Sequence, residues 1–434
     1  MGAESIVGND RQAHEIASKI EKISEALSSE QIFKSLVEGL PTEVVEAVRK
    51  SLDCERFELI EVLAAYQAAK TGSFDALRAK VGDDPGAQLI VARVTRGWSQ
   101  KELARRLFIP EQQVQRYEAE RYRSISLSSL IRVARTLGVR LTANIGDAIP
   151  ESWLPSYEMS SSEAQKVLKH ARDNGWIDKV GQSDEGILKE LKRTVAEHVG
   201  EFGTPSLLRT GLNVRDYSSD WLLLAWKAHV TSRARKIFQR QKVKYRPLDL
   251  IWLMDLVRLS VLDDGPVRAI EMLENHGIIV VIEPHVSGMQ LDGAAFLMEE
   301  TPVIGITLLR NSIDNFWFTL LHEVAHVILH YRTGLASGFF DDVDNPDLDE
   351  LEEEADDFAI NLLIPHALWN RSPARIAKDH EPVERLARQL NIAPAIIYGR
   401  IRMERKNYKI FSDRIGQGKV KKLFLDNFLE VTDE

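Results

Sequence analysis

Cysteine is nearly missing from this chain. Cys54 stands alone among 434 residues, which excludes an intrachain disulfide and any metal site built from several thiolates. A reducing compartment fits that scarcity. Long apolar runs are missing as well: no stretch approaches the ~18 residues of a membrane span, and the opening MGAESIVGNDRQAHEIASKI has no apolar core of a secretion signal. A cytoplasmic protein without a membrane partner is expected. Nor is there a surplus of positive charge, since 56 Lys and Arg face 65 Asp and Glu for a formal charge of -9. That balance excludes a uniformly basic nucleic-acid binder. The charge is unevenly spread, however, because residues 341–357 hold eleven acids and no base. Beyond that run there is no low-complexity tract and no internal repeat.

At one domain per ~100–200 residues, the length implies two to four domains. From Asp10 to Leu77 apolar residues recur at helical spacing (Ile16, Ile20, Ile23, Leu27), with Gly39 and Pro41 as a break and Thr42 as a new helix start. Residues 1–84 are read as an N-terminal helical domain, suited to dimerise the chain or brace its neighbour. Asp83-Asp84-Pro85-Gly86 is a turn that opens a compact helical unit over 85–148. Residues 149–249 read as a mostly helical connection. Within it, Trp221–Pro247 carries eight Lys or Arg and no acid, a solvated face or a phosphate contact. Residues 250–434 form the last domain, where helices over Leu250–Leu262 and Val267–His276 precede strand-like Gly277–Ile282, Ala294–Leu297 and Val303–Leu308. The fold class expected is mainly α with a small β-sheet, in several domains.

The segment Ser99–Glu118, SQKELARRLFIPEQQVQRYE, has the pattern of two short crossing helices. Ser99 is a natural N-cap with Glu102 completing a capping box. Leu103, Ala104 and Leu107 face inward, Ala104 being small enough for a steep crossing. Pro110 opens the second helix without needing an N–H partner, and Val114 and Tyr117 bury it. Glu111, Gln112, Gln113, Gln115 and Arg116 remain outside, and Gln and Arg are side chains that make paired hydrogen bonds to base edges. The window 86–142 is locally +7, which attracts phosphate. From Leu89-Ile90 through Arg93 to Leu137-Gly138-Val139 the segment resembles the XRE, or lambda-repressor-like, helix-turn-helix family. That resemblance implies a five-helix DNA-binding domain on a double-stranded operator. It places Gln100 on a phosphate and Glu111, Gln112, Gln113 and Arg116 toward bases. Phe108 stands at the turn where the family usually has Gly, and Glu120 replaces the Gly that follows the recognition helix.

The sharper pattern is His322-Glu323-Val324-Ala325-His326. Two histidines at i and i+4 share a helical face and can reach one metal ion, while the adjacent glutamate can activate water. The flanks are apolar, and a buried helix tolerates His and Glu only with a partner or a role. A third ligand is offered by Leu351–Leu363, where Glu352 borders the apolar stripe. Asp356, one turn later, is placed to orient a ligating histidine through its other ring nitrogen. Glu354 is the alternative ligand, and Glu353 is expected to face water. His330 is read as a supporting or packing residue, and His366 as an exposed loop histidine or an oxyanion partner. Residues 334–350 are a candidate lid over the cleft.

FTLLHEVAHVILH followed by EEEADDFAINLLIP resembles the ImmA/IrrE metallopeptidase family across roughly residues 250–405. The resemblance implies an α+β, thermolysin-like zincin core, Zn2+ on His322, His326 and Glu352, and Glu323 as the catalytic base. Members of the family cleave helix-turn-helix repressors, and some carry such a domain themselves. The combined expectation is a DNA-binding regulator with a zinc-dependent endopeptidase domain. It would cleave a regulatory protein of repressor or antitoxin type in a stress, phage or toxin–antitoxin circuit, and act as a homodimer on a palindromic operator. The rival is a helix-turn-helix regulator or antitoxin whose zinc domain senses, or is structural, without cutting protein.

Overall fold

The structure is a computed structural model that describes residues 7–79, 85–122, 125–140, 161–174, 176, 183–202, 217–240, 243–289, 291–298, 300–331, 335 and 347–430. It is mostly helical with one three-stranded sheet. Two compact units divide it, one of Met1–Phe33 with Arg49–Ile149 and the other of Lys34–Val48 with Pro150–Glu434. No described helix is long and apolar enough to cross a membrane.

Helices α1 (Asp10–Ser28), α2 (Glu30–Leu36), α3 (Thr42–Lys70) and α4 (Asp75–Ala79) come first. The Asn9 side chain caps α1 by accepting from the Gln12 amide. Then α5 (Pro85–Thr95), α6 (Gln100–Leu107), α7 (Glu111–Ala119) and α8 (Leu127–Thr136) enclose a core of Leu89, Leu103, Leu107, Val114, Val133 and Leu137. Four helices of the expected five are among the described residues, and 141–148 of this domain lie outside them. Ser99 caps α6 through the Glu102 amide at 3.1 Å. The Glu102 carboxylate turns instead to Arg105 and Arg106, so only half of the capping box forms. Phe108 ends α6 at φ 53°, with its side chain 95% exposed. A turn that usually takes glycine is thus made by a bulky residue in the left-handed region, at a cost of about 1–2 kcal/mol. After α7 the positive φ falls on Arg121 and Tyr122, not on Glu120.

In the second unit, α9 (Ser161–Asp173), α10 (Asp184–Phe202) and α11 (Tyr217–Arg240) lead to α12 (Leu253–Arg258) and α13 (Gly265–Asn275). The strands follow: β1 (Ile279–Ile282), β2 (Gly293–Met298) and β3 (Thr301–Ile306), in the order β1-β3-β2. β3 pairs parallel with β1 and antiparallel with β2. Both faces of the sheet are covered, so its strands read as continuous apolar runs and not as alternation. On one face Ile279, Val281, Phe296 and Val303 join Trp226 and Val230 of α11 in a single core. Gly305 permits this contact, since a Cβ there would stand 2.6 Å from the Trp226 ring. The other face takes α14 (Ile313–Leu329), and α15 (Asp347–Leu363) packs against α14 in turn. Helices α16 (His366–Trp369), α17 (Glu381–Leu390), α18 (Pro394–Glu404) and α19 (Lys419–Glu430) complete the unit.

Two of the basic residues of Trp221–Pro247 turn inward on α11. Lys227 is buried beside the Phe296 ring at 5.1 Å, and burial pushes its ammonium down to about 8. Arg233 bonds the Ile282 carbonyl and Glu283, whose buried carboxylate also accepts from Trp176. Arg235, Lys236 and Arg240 lie on the exposed side of the helix.

Candidate metal centre and nucleic-acid interface

Apolar residues surround α14 on all sides, the pattern of a fully buried helix. Within it His322 is 0% exposed, Glu323 1% and His326 1%. Such burial is tolerable only where each polar group is held. The Nε2 atoms of His322 and His326 approach to 3.0 Å. Glu352 of α15 meets both, its Oε2 3.2 Å from His322 Nε2 and its Oε1 3.5 Å from His326 Nε2. These donors converge as a group able to hold a metal ion, each atom within 4.8 Å of the others.

Each histidine is braced from behind. Asp356 Oδ1 lies 2.7 Å from His322 Nδ1. His326 Nδ1 lies 2.9 Å from His330 Nδ1, and His330 Nε2 is 3.2 Å from Glu354 Oε2. The arrangement leaves the Nε2 lone pairs facing each other, because the opposite ring nitrogens are committed elsewhere. Glu354 therefore sits at His330, while Glu352 sits at the convergent pair and Glu353 is exposed. Burial pushes the His326 imidazole down to about 4, which keeps it neutral and able to donate at ordinary pH. For Glu352, burial alone would raise the carboxyl. The facing imidazoles of His322 and His326 hold it well below the usual carboxylate range.

Glu323 projects toward the start of β2. A Cβ on Gly293 would stand 2.7 Å from Glu323 Oε1 and 2.9 Å from Thr319 Cγ2, so only glycine lets the edge strand lie this close. His366 is exposed at the start of α16, with its amide bonded to Asn361. The segment considered as a lid falls mostly on 336–346, outside the described residues. The sequence reading has His330 as a supporting residue, but not Glu354 as its partner, nor the Gly293 contact. The extra histidine one turn after HExxH was the only local signal for the first, and nothing local marked the second.

On the helix-turn-helix, Glu111, Gln112 and Arg116 are exposed along α7. Gln113 is half-buried and donates to the Tyr117 hydroxyl. Gln100 is turned inward as well: its amide donates to Glu118 Oε2 at 2.7 Å. Glu118 is itself buried against Arg93. The exposed side of α7 thus carries Glu111, Gln112, Gln115 and Arg116.

Residues 273–402 match the peptidase M78 family, described as an IrrE N-terminal-like domain. A second family model, described as helix-turn-helix, matches residues 90–143. No curated protein and no solved structure matches the chain. The IrrE-like match begins near the end of α13 and runs through the sheet, α14 and α15 to the last turn of α18. It therefore takes in every residue of the candidate metal centre. Helices α9 to α11 lie outside it, although α11 supplies the core beneath its sheet.

Proposed function

We propose that this chain is a DNA-binding regulator whose IrrE-like domain is a zinc-dependent endopeptidase, acting on a regulatory protein of repressor or antitoxin type. The observation that carries the reading is the convergence of His322, His326 and Glu352, with the buried Glu323 next in sequence to His322. Two imidazoles and a carboxylate are the donor set of a catalytic zinc, with room for a fourth ligand. When bound there, zinc supplies Lewis acidity, polarising a carbonyl and lowering the pKa of water toward ~7. Asp356 and the His330–Glu354 pair hold the imidazoles in their tautomers. Glu323 accepts the proton of the attacking water and passes it to the nitrogen of the leaving amine. The helix-turn-helix brings this activity to an operator, with the N-terminal helices serving a homodimer.

Comparison of new protein N-termini in cells carrying wild type or Glu323→Gln tests the reading. Termini present only with wild type, and reproduced by the purified zinc-loaded protein, support it. Altered gene regulation with no new terminus would favour a sensing or structural metal domain instead.

The ligand assignment has its own test. Glu352→Ala should remove stoichiometric zinc, because a tetrahedral site loses one of three protein ligands. Glu354→Ala should keep the metal with affinity weakened about 10–100-fold, the usual cost of losing an outer partner. Metal analysis of both variants decides, and zinc retained in Glu352→Ala at wild-type affinity would overturn the assignment.

At the DNA interface, Gln112→Ala and Arg116→Ala should each lower discrimination between operator sequences, a paired base contact being worth about 1–3 kcal/mol. Gln100→Ala should act differently, through Glu118, and lower the stability of the domain. Competition binding with mutated operators separates the two, and unchanged base preference in both α7 variants would remove α7 as the reading helix.

A further inference from the structure

A cavity of about 690 Å³ opens between the first half of α14, the end of α15, α18 and the segment 408–417. It adjoins the metal centre along two helical rows. On α14 its wall residue Phe318 stands one turn before His322, the rings 6.3 Å apart. On α15 its wall residue Ile360 stands one turn after Asp356, the partner of His322. A third link runs through Asn315, which lines the cavity and bonds Thr319, one turn before Glu323.

The walls are apolar, with Phe318, Ile360, Ile396 and Met403, but the charge is positive: Arg310, Arg400 and Arg402 face one carboxylate, Asp314. Arg400 is occupied, donating to the Ile364 carbonyl and lying over Trp369. Arg310 sits at the rim, 3.6 Å from Asp292. Arg402 is different. Its side chain is 11% exposed, its Nη2 donates to the Tyr408 carbonyl, and its Nη1 is 3.9 Å from Asp314, beyond hydrogen-bond reach. Its Nε is buried with no acceptor among the described residues. The Asp314 carboxylate already accepts from Ser312. A largely buried guanidinium whose Nε lacks an acceptor is costly unless an anion completes it.

We propose that this cavity binds a carboxylate carried on an apolar stem, with Arg402 as its charge partner. The carboxylate comes from an acidic side chain or C-terminus of the peptide at the metal centre, or from a free organic acid. Only the peptide source rests on the peptidase reading. The ligand carboxylate takes the place of the missing acceptor, and its stem replaces water against Phe318, Ile360 and Met403.

The test uses the full-length zinc-loaded protein and titrates hexanoate, with hexan-1-ol as the uncharged control. Hexanoate should bind more tightly than the alcohol and lose at least about tenfold in Arg402→Met. Met403→Trp, which fills the cavity from an exposed wall and leaves Arg402 in place, should weaken it too. A carboxylate resting on the metal would be indifferent to both variants, so equal binding in all three proteins overturns a free organic acid as the occupant. The second arm digests a proteome-derived peptide mixture and profiles residues around the cut. An acidic preference lost in Arg402→Met, with or without hexanoate binding, assigns the carboxylate to the peptide. Hexanoate binding without any cleavage keeps the cavity and removes the peptidase reading. Absence of both an Arg402-dependent cleavage preference and Arg402-dependent hexanoate binding overturns the proposal.

Discussion

Glu323→Gln is expected to retain one zinc per chain while lowering peptide cleavage by about 10²–10⁴-fold, the range for a lost general base. Three features make this substitution decisive. The group is 1% exposed, so bulk water cannot replace it as a proton acceptor. It is not one of the three convergent donors, so the metal should stay. The space beside it is filled by Gly293 and Thr319, and an isosteric amide keeps that packing where a larger residue would displace β2. The fall should be in kcat more than in KM, because the proton transfer belongs to the reaction and not to peptide binding. Wild-type cleavage by Glu323→Gln would exclude it as the base. Loss of zinc would instead show that Glu323 supports the metal.

The parts of this protein that were legible beforehand are those set by short-range spacing. Histidines at i and i+4 share a helix face whatever surrounds them, and the acids of α15 could be ranked by distance from its apolar stripe. The three strands were legible as apolar runs bounded by polar and glycine residues, and the structure places them within a few residues of the expected spans. What stayed hidden depends on long-range packing. Glu352 and Glu354 are two positions apart, and only the seating of α15 on α14 determines that one meets His326 and the other His330. Gln113 falls on the outer side of its helix by periodicity, and the resemblance places Gln100 on a phosphate, yet their side chains reach back to Tyr117 and Glu118. The +7 charge of residues 86–142 is likewise a poor guide to exposed charge. Arg93 is buried, and Arg105 and Arg106 are partly answered by Glu102.

That buried Arg93 carries the second large effect. Glu118→Ala should destabilise the helix-turn-helix unit by about 3–5 kcal/mol, the cost of leaving one member of a buried ion pair alone. Arg93 and Glu118 have side-chain exposures of 3% and 4%, and they meet through two parallel contacts, Nε to Oε1 and Nη2 to Oε2 at 2.7 Å. The guanidinium also donates to the Trp98 carbonyl at 2.7 Å and to the Gly8 carbonyl at 2.6 Å, so it ties the start of the chain to the turn between α5 and α6. Without Glu118 those neutral carbonyls must hold a buried cation, and Gln100 loses its acceptor too. The shift should be roughly 10–20 °C in Tm for a unit of this size, read by calorimetry on the full chain. Zinc content should not change, since the metal donors lie in the other unit. The double variant Arg93→Met with Glu118→Leu should cost less than either single change, because no charge is then stranded. Additive losses in the double variant would mean that the two side chains act through packing alone, and that the ion pair does not organise the domain.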